Sequence, residues 1–263
     1  MTPIPLLWPV PLWSFHVLTC LVGLVLGSFY NVCIHRYLTG ESIVFPGSKC
    51  PRCGHPLAWW ENIPVVSFCF LRGRCGHCRA PISLRYPVVE LVSGAWALAL
   101  ALKFGPSMPW VVHMVVGGMC IVAAFIDFDS YLLPDILTLP GAVLAAVGGV
   151  FFLEMTWYDI FLGAGIGAGS FWALQKGYKL VRGVDGLGSG DVKLMLLIGA
   201  ISGWRGLPVI ITVAAATGIV ASLCYMRRTT AAMQTMIPFG PFLILGMMLY
   251  VLWGDVFWAW YIG

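Results

Sequence analysis

Charge is scarce in this sequence. Charged residues make up 10% of its 263 positions and hydrophobic residues 60%, whereas a soluble domain carries about a quarter charged. The depletion runs along most of the chain and excludes an ordinary soluble fold. The net charge of +4 does not argue for nucleic acid as a partner, because the basic residues lie in loops between apolar runs, where membrane topology accounts for them. Lys and Arg are missing from the first residues. A cleaved secretory signal normally opens with a basic region, so the first apolar run, Trp13 to Ile34, is expected to be a retained spanning helix. No internal repeat and no low-complexity tract is apparent.

Long apolar runs fill the space that charge leaves. Spanning a bilayer takes about 20 such residues, and candidate spans fall at 13–34, 87–103, 109–126, 133–153, 157–175, 192–203, 207–226 and 238–260. The expected fold is therefore all-α and polytopic, with about eight transmembrane helices in a lipid bilayer. With the N-terminus outside, Arg36, Lys49, Arg52, Arg72, Arg74, Arg79, Arg85, Lys176, Lys179, Arg182, Lys193, Arg227 and Arg228 fall on the cytoplasmic side, and only Lys103 and Arg205 opposite. Such asymmetry sets orientation. Three parts follow: a first transmembrane helix within 1–34, a polar cytoplasmic insert at 35–86, and a membrane domain at 87–263. Alternating Gly163, Gly165, Gly167 and Gly169 in the fifth span are expected to serve close helix packing.

Five of the nine cysteines stand singly in or beside apolar stretches and read as small hydrophobes. The other four form two pairs, Cys50-Pro-Arg-Cys53 and Cys75-Gly-His-Cys78, with 21 residues between them. That spacing matches a four-thiolate zinc site. All four positions are filled by protein, so the Zn2+ is expected to be structural, holding together a segment too small to bury much core. Gly54 and Gly76 are expected to give the turns backbone freedom. Lys49, Arg52, Arg74 and Arg79 are expected to favour thiolate over thiol. No alternation of strands and helices supports a redox dithiol instead.

Acidic residues are few in the membrane domain, and a carboxylate within a bilayer needs a reason. Asp127 ends the third span and Asp191 opens the sixth, after Gly186-Leu-Gly188-Ser-Gly190. The alternating glycines, Gly188 and Gly190 nearest the carboxylate, allow tight backbone geometry and close approach of another helix. Both aspartates are expected at one depth on the cytoplasmic face. Two carboxylates in contact share a proton, so one can act as general base and the other as general acid. Position alone does not separate this pair from Asp129, Asp135 and Asp185, which also read as helix-end caps. A membrane scaffold or transporter with a zinc-bound insert is the competing reading, because buried aspartates also line ion pathways.

These features together resemble the type IV prepilin peptidases, bifunctional leader peptidase/N-methyltransferases of the GxGD aspartyl protease group. The resemblance runs through Gly27-Ser-Phe-Tyr-Asn31, Cys50-x-x-Cys53-Gly, Trp60-Glu61-Asn62-Ile-Pro64, Arg72-Gly73-x-Cys75-x-x-Cys78 and Arg85-Tyr86-Pro87-x-Val-Glu90. It continues through Ile126-Asp127, Leu133-Pro134-Asp135, Gly186-x-Gly188-x-Gly190-Asp191-Val-Lys193 and Pro238-Phe239-Gly240-Pro241. It implies a bacterial inner-membrane enzyme that cuts basic leaders from prepilins or prepseudopilins of type IV pili or type II secretion, with Asp127 and Asp191 catalytic. It further implies methylation of the new N-terminus from S-adenosylmethionine. That second activity is tied to the insert, with Gly73, Glu61, Arg85 and Glu90 as candidate residues. Another kind of GxGD protease fits less well, because it would lack the cysteine insert. Oligomeric state and the identity of the client pilin are not readable.

Overall fold

The structure is a computed structural model that describes residues 11–184, 186–228 and 237–262. Helices dominate, and among the described residues strand pairing is limited to isolated bridges. The chain divides into two compact units, Met1–Met114 and Val115–Gly263, with the cut inside one long helix.

The first unit is built on α1 (Leu12–Thr39) and α3 (Arg85–Phe104). They pack antiparallel through small residues. A Cβ on Gly23 would lie 2.7 Å from the Ser93 carbonyl oxygen, and one on Gly27 would lie 2.6 Å from Glu90 Cα. Helices in lipid associate by such close backbone approach, since lipid tails provide no hydrophobic driving force. Between them lie a 3-10 turn (Trp59–Asn62), the short α2 (Val66–Phe70), and two cysteine hairpins. At the end of α1 the buried Arg36 donates to the carbonyls of Ser42 and Pro46, tying the chain as it leaves the helix.

The hairpins reveal a short repeat that the sequence conceals. Lys49 bridges Pro56, and Arg74 bridges Pro81. The Cys50 N–H donates to His55, and Leu57 to Ser48; 25 residues later Cys75 donates to Ala80, and Ile82 to Gly73. Only the cysteines and a proline are identical between the two ten-residue copies, 48–57 and 73–82. At matching places the left-handed backbone position is taken by Gly54 (φ 70°) and by Arg79 (φ 58°). Gly76 has no positive φ. A Cβ there would stand 2.7 Å from the Glu61 carboxylate, which would have to swing aside.

The second unit contains the end of α4 (Met108–Ser130), α5 (Asp135–Phe152), α6 (Trp157–Arg182), α7 (Ser189–Arg228) and α8 (Gly240–Ile262). Six helices of the described chain are long and apolar enough to cross a membrane. The difference from about eight lies in α6 and α7. Glycines dilute the apolar stretch of α6, which is helical over 26 residues nonetheless. The 40-residue α7 is two arms joined at Gly203, whose φ of 66° and ψ of 174° break the helix.

Contacts with α6 show that the two arms reverse. A Cβ on Gly163 would strike Gly199 and Gly203. One turn later, a Cβ on Gly167 would strike Met195 and approach Leu207. The two arms thus pass α6 in opposite directions. Gly165 and Gly169 have open space around them, so only half of the glycine stripe serves packing. Gly149 against Ile160 makes α5 and α6 antiparallel, while Gly206 against Tyr250 and Gly246 against Ile210 do the same for the second arm and α8. By this alternation the end of α4 and the starts of α5, α7 and α8 share one face.

Candidate functional site

On that shared face two carboxylates among the described residues of the second unit are buried. Asp127, three residues before the end of α4, is 5% exposed, and Asp191, in the first turn of α7, is 9% exposed. Each accepts a backbone N–H at the start of a helix, Asp127 from another segment and Asp191 from its own. Gly240, the first residue of α8, donates to Asp127, and Gly188, just before α7, donates to Asp191. Helix starts carry unpaired N–H groups and a positive dipole end, so they suit an anion. The two carboxylates are close enough for the Asp191 charge to act on Asp127. Asp191 Oδ1 is buried without a hydrogen-bond partner. A buried polar oxygen left unpaired is costly and often marks a place where chemistry occurs.

Leu133 wedges between the flanks of this pair. Its Cβ lies 2.8 Å from where a Gly190 Cβ would stand, and its Cδ1 lies 3.2 Å from a Cβ placed on Gly240. The sequence explains Gly186, Gly188 and Gly190 by unusual backbone angles or by close approach. The structure selects close approach. None of the three has a positive φ, but Gly186 is pressed against the Tyr178 ring and Gly190 against Leu133. A Cβ on Gly188 would touch Asp191 Oδ2 at an ordinary 3.4 Å. Gln175 on α6 fixes this loop by donating to the Leu187 carbonyl at 2.9 Å.

The other acidic candidates behave differently. Asp129 is exposed. Asp135 is exposed at the first position of α5, where both of its oxygens accept Lys193 Nζ at 2.7 Å. Asp185 lies outside the described residues. Burial therefore separates Asp127 and Asp191 from their neighbours, which sequence position alone does not do. Gly240 is the residue that sequence reasoning passed over. Its signal is the Pro238-Phe239-Gly240-Pro241 motif, where a Cβ would stand 2.6 Å from Asp127 Oδ2.

In the first unit, the sulfurs of Cys50, Cys53, Cys75 and Cys78 all lie within 4.8 Å of one another. Cys50 and Cys78 are 3.9 Å apart. Tetrahedral Zn–S bonds of about 2.3 Å give sulfur–sulfur edges of about 3.8 Å, so the cluster is compatible with zinc. His55 and His77 are not part of it; their rings stack on one another at 4.6 Å. The Cys50 thiol is pulled down to about 7 by the Cys53 N–H, with help from the Arg52 N–H and neighbouring thiols, against the cost of burial. Backbone donors, rather than the basic side chains expected from the sequence, produce this shift. Cys53 is pushed up to about 11: the His55 N–H favours its thiolate, but desolvation and the sulfurs of Cys50, Cys78 and Cys75 outweigh it.

Two of the methyl-transfer candidates sit at the second hairpin. Gly73 has φ 65°, donates to the Phe68 carbonyl, and leaves only 3.0 Å between a would-be Cβ and the Phe68 ring. Glu61 caps the 3-10 turn through the Ala58 N–H at 2.9 Å and rests against Gly76. The remaining two lie on α3. Arg85 begins the helix beside the Tyr86 ring. Glu90 is buried and accepts the Val65 N–H at 2.7 Å. Val65 has φ 61°, a strained conformation for a β-branched residue, and Glu90 holds it there.

Comparison with known proteins follows the same division. Residues 21–104 match the family model of the bacterial peptidase A24 N-terminal domain, and residues 114–223 match the type IV leader peptidase family. Relatives include a prepilin leader peptidase/N-methyltransferase of Aeromonas hydrophila, 34% identical, with 95% of this chain and 94% of the relative covered. Proteins of the same name in Pseudomonas aeruginosa and Stutzerimonas stutzeri are each 36% identical. The shares covered are 92% and 91% for the former, 97% and 96% for the latter. No solved structure matches the chain.

Proposed function

The chain belongs to the type IV leader peptidase family, and from that membership and the site geometry we propose that it removes basic leaders from prepilins or prepseudopilins and N-methylates the new terminus. The observation that carries the first activity is the buried pair Asp127 and Asp191, each held by a backbone N–H at the start of a segment. Two neighbouring carboxylates hold one proton between them. The charged member takes a proton from water as it attacks the scissile carbonyl. The protonated member polarises that carbonyl and then protonates the leaving amine. Gly190 keeps the loop slim enough for Leu133 to pack between the flanks, and Gly188 places its N–H on Asp191. A prepilin places its basic leader in the cytoplasm and its apolar helix in the bilayer. Its cut site therefore meets a pair lying at the helix ends, with the N-terminus of the enzyme outside and both sites facing the cytoplasm of a bacterial inner membrane.

The second activity is assigned to the insert, 35–86, between the first helix (1–34) and the peptidase domain (87–263). Cys50, Cys53, Cys75 and Cys78 hold a structural Zn2+ that fixes the two hairpins against each other. S-adenosylmethionine supplies an electrophilic methyl group to the new terminal amine. Glu61, partly exposed beside the hairpins, offers a carboxylate to orient a cationic sulfonium or an amine. Gly73 sets the hairpin backbone, Glu90 fixes the Val65 loop, and Arg85 places the start of α3. Mass spectrometry of a co-expressed prepilin N-terminus reads both steps at once. The expected product is leader-free and heavier by one methyl group. An intact leader in the unmodified strain, or leader removal that survives Asp127→Asn and Asp191→Asn, overturns the peptidase assignment. A leader-free but unmethylated product overturns the transferase half.

A further inference from the structure

We propose that Asp135 and Lys193 form a positioning pair that sets the spacing of the two buried aspartates, an inference that rests on the peptidase reading above. Lys193 Nζ meets both oxygens of Asp135 at 2.7 Å, although the two side chains are 58% (Asp135) and 35% (Lys193) exposed. A half-exposed pair contributes little to global stability. Its position gives it another use. Asp135 is eight residues beyond Asp127, and Lys193 is two residues beyond Asp191. The ion pair therefore closes a small ring: Asp127, the connection 128–134, Asp135, Lys193 and Asp191.

The interior of that ring is occupied. Leu133, two residues before Asp135, presses on Gly190 and on Gly240, whose N–H holds Asp127. α4 is stopped by Tyr131, which adopts φ 57° and donates back to the Asp127 carbonyl at 2.9 Å. α5 and the first arm of α7 are already locked deeper in, where a Cβ on Gly141 would overlap Leu197. At the mouth, the bidentate pair fixes the start of α5 to the start of α7. Without it, the start of α5, and Leu133 with it, loses its ion-pair tie to the start of α7. The motifs Leu133-Pro134-Asp135 and Asp191-Val-Lys193 then act as two halves of one device, one bringing the wedge and the anion, the other the buried Asp191 and the cation.

Steady-state leader removal from a purified prepilin tests this. Asp135→Asn and Lys193→Met are each expected to lower kcat about tenfold or more with KM nearly unchanged. The exchanged double variant, Asp135→Lys with Lys193→Asp, is expected to recover most of that loss. A purely electrostatic action of Lys193 on Asp191 predicts the reverse, because exchange puts a negative charge beside Asp191. Single variants as active as the unmodified enzyme, or an exchanged variant no better than the singles, overturn the proposal. Spin labels introduced as unnatural amino acids at exposed Phe128 and Ser189 give a readout independent of cleavage. Their distance distribution is expected to broaden in each single variant and to narrow on exchange. If the unmodified chain removes no leader, the peptidase reading fails on its own; unchanged distances in the singles overturn the pair.

Discussion

A methyl group on residue 240 would stand 2.6 Å from Asp127 Oδ2 and 3.2 Å from Leu133 Cδ1. Real Cβ atoms do not approach so closely, so Gly240→Ala must displace the carboxylate or the wedge beside it. Misplacing a reacting group by about 1 Å can cost about a hundredfold in rate. The variant is expected to accumulate normally in membranes and to remove leaders about a hundredfold more slowly, measured as the initial rate on a purified prepilin. A different residue-scale argument applies to Gly73. Its φ of 65° costs an L-residue about 1–2 kcal/mol, and the Phe68 ring leaves a Cβ only 3.0 Å. Gly73→Ala is expected to reduce methylation of a leader-free peptide while leaving leader removal intact. Gly73→Asn should lose less, because Asn tolerates the left-handed region. Equal loss in both variants would point to the ring rather than the backbone.

At the scale of elements, α7 shows what sequence can and cannot supply. Hydropathy alone merges 192–226 into one apolar run, and a break between 203 and 207 is readable because Gly203, Arg205, Gly206 and Pro208 interrupt it. The reversal itself is a tertiary fact: it depends on Gly163 and Gly167 admitting the two arms side by side. Likewise the four cysteines are legible by spacing, whereas the repeat around them is not, because Arg79 stands where Gly54 stands in the first copy. Asp127 and Asp191 could be placed on one face from the span pattern. Only the motif resemblance distinguished them from Asp135 in the sequence; the physical difference, burial against an exposed ion pair with Lys193, is not encoded by periodicity. The break yields its own prediction. Gly203 has φ 66° and ψ 174°, a region essentially reserved for glycine, where a side chain costs about 1–3 kcal/mol. A Cβ there would also meet Met155 Cε at 3.3 Å. Gly203→Ala is expected to lower the detergent-solubilised melting temperature by about 5 °C, with Gly165→Ala, in open space, as the unaffected control.

For the whole molecule, the division at Met114/Val115 puts the cysteine cluster in one compact unit and both buried aspartates in the other. The matched family segments also part there, ending at 104 and starting at 114. Folding of the insert should then depend on its metal, because thiolates this close repel one another unless protons or a cation neutralise them. Purified protein is expected to carry about one zinc per chain, lost in Cys50→Ser and released as pH falls, since protons compete for the thiolates. The aspartate unit holds none of those ligands, so the two activities should fail separately. Asp127→Asn is expected to abolish leader removal yet still methylate a synthetic leader-free peptide at close to the unmodified rate. Cys50→Ser is expected to do the opposite, cleaving prepilin but transferring little methyl. Both products are resolved in one mass spectrum, with zinc content measured on the same preparations. If Cys50→Ser lost cleavage as completely as methylation while remaining folded in the membrane, the insert would have to support the aspartate site, and the two units would be one enzyme rather than two joined in series.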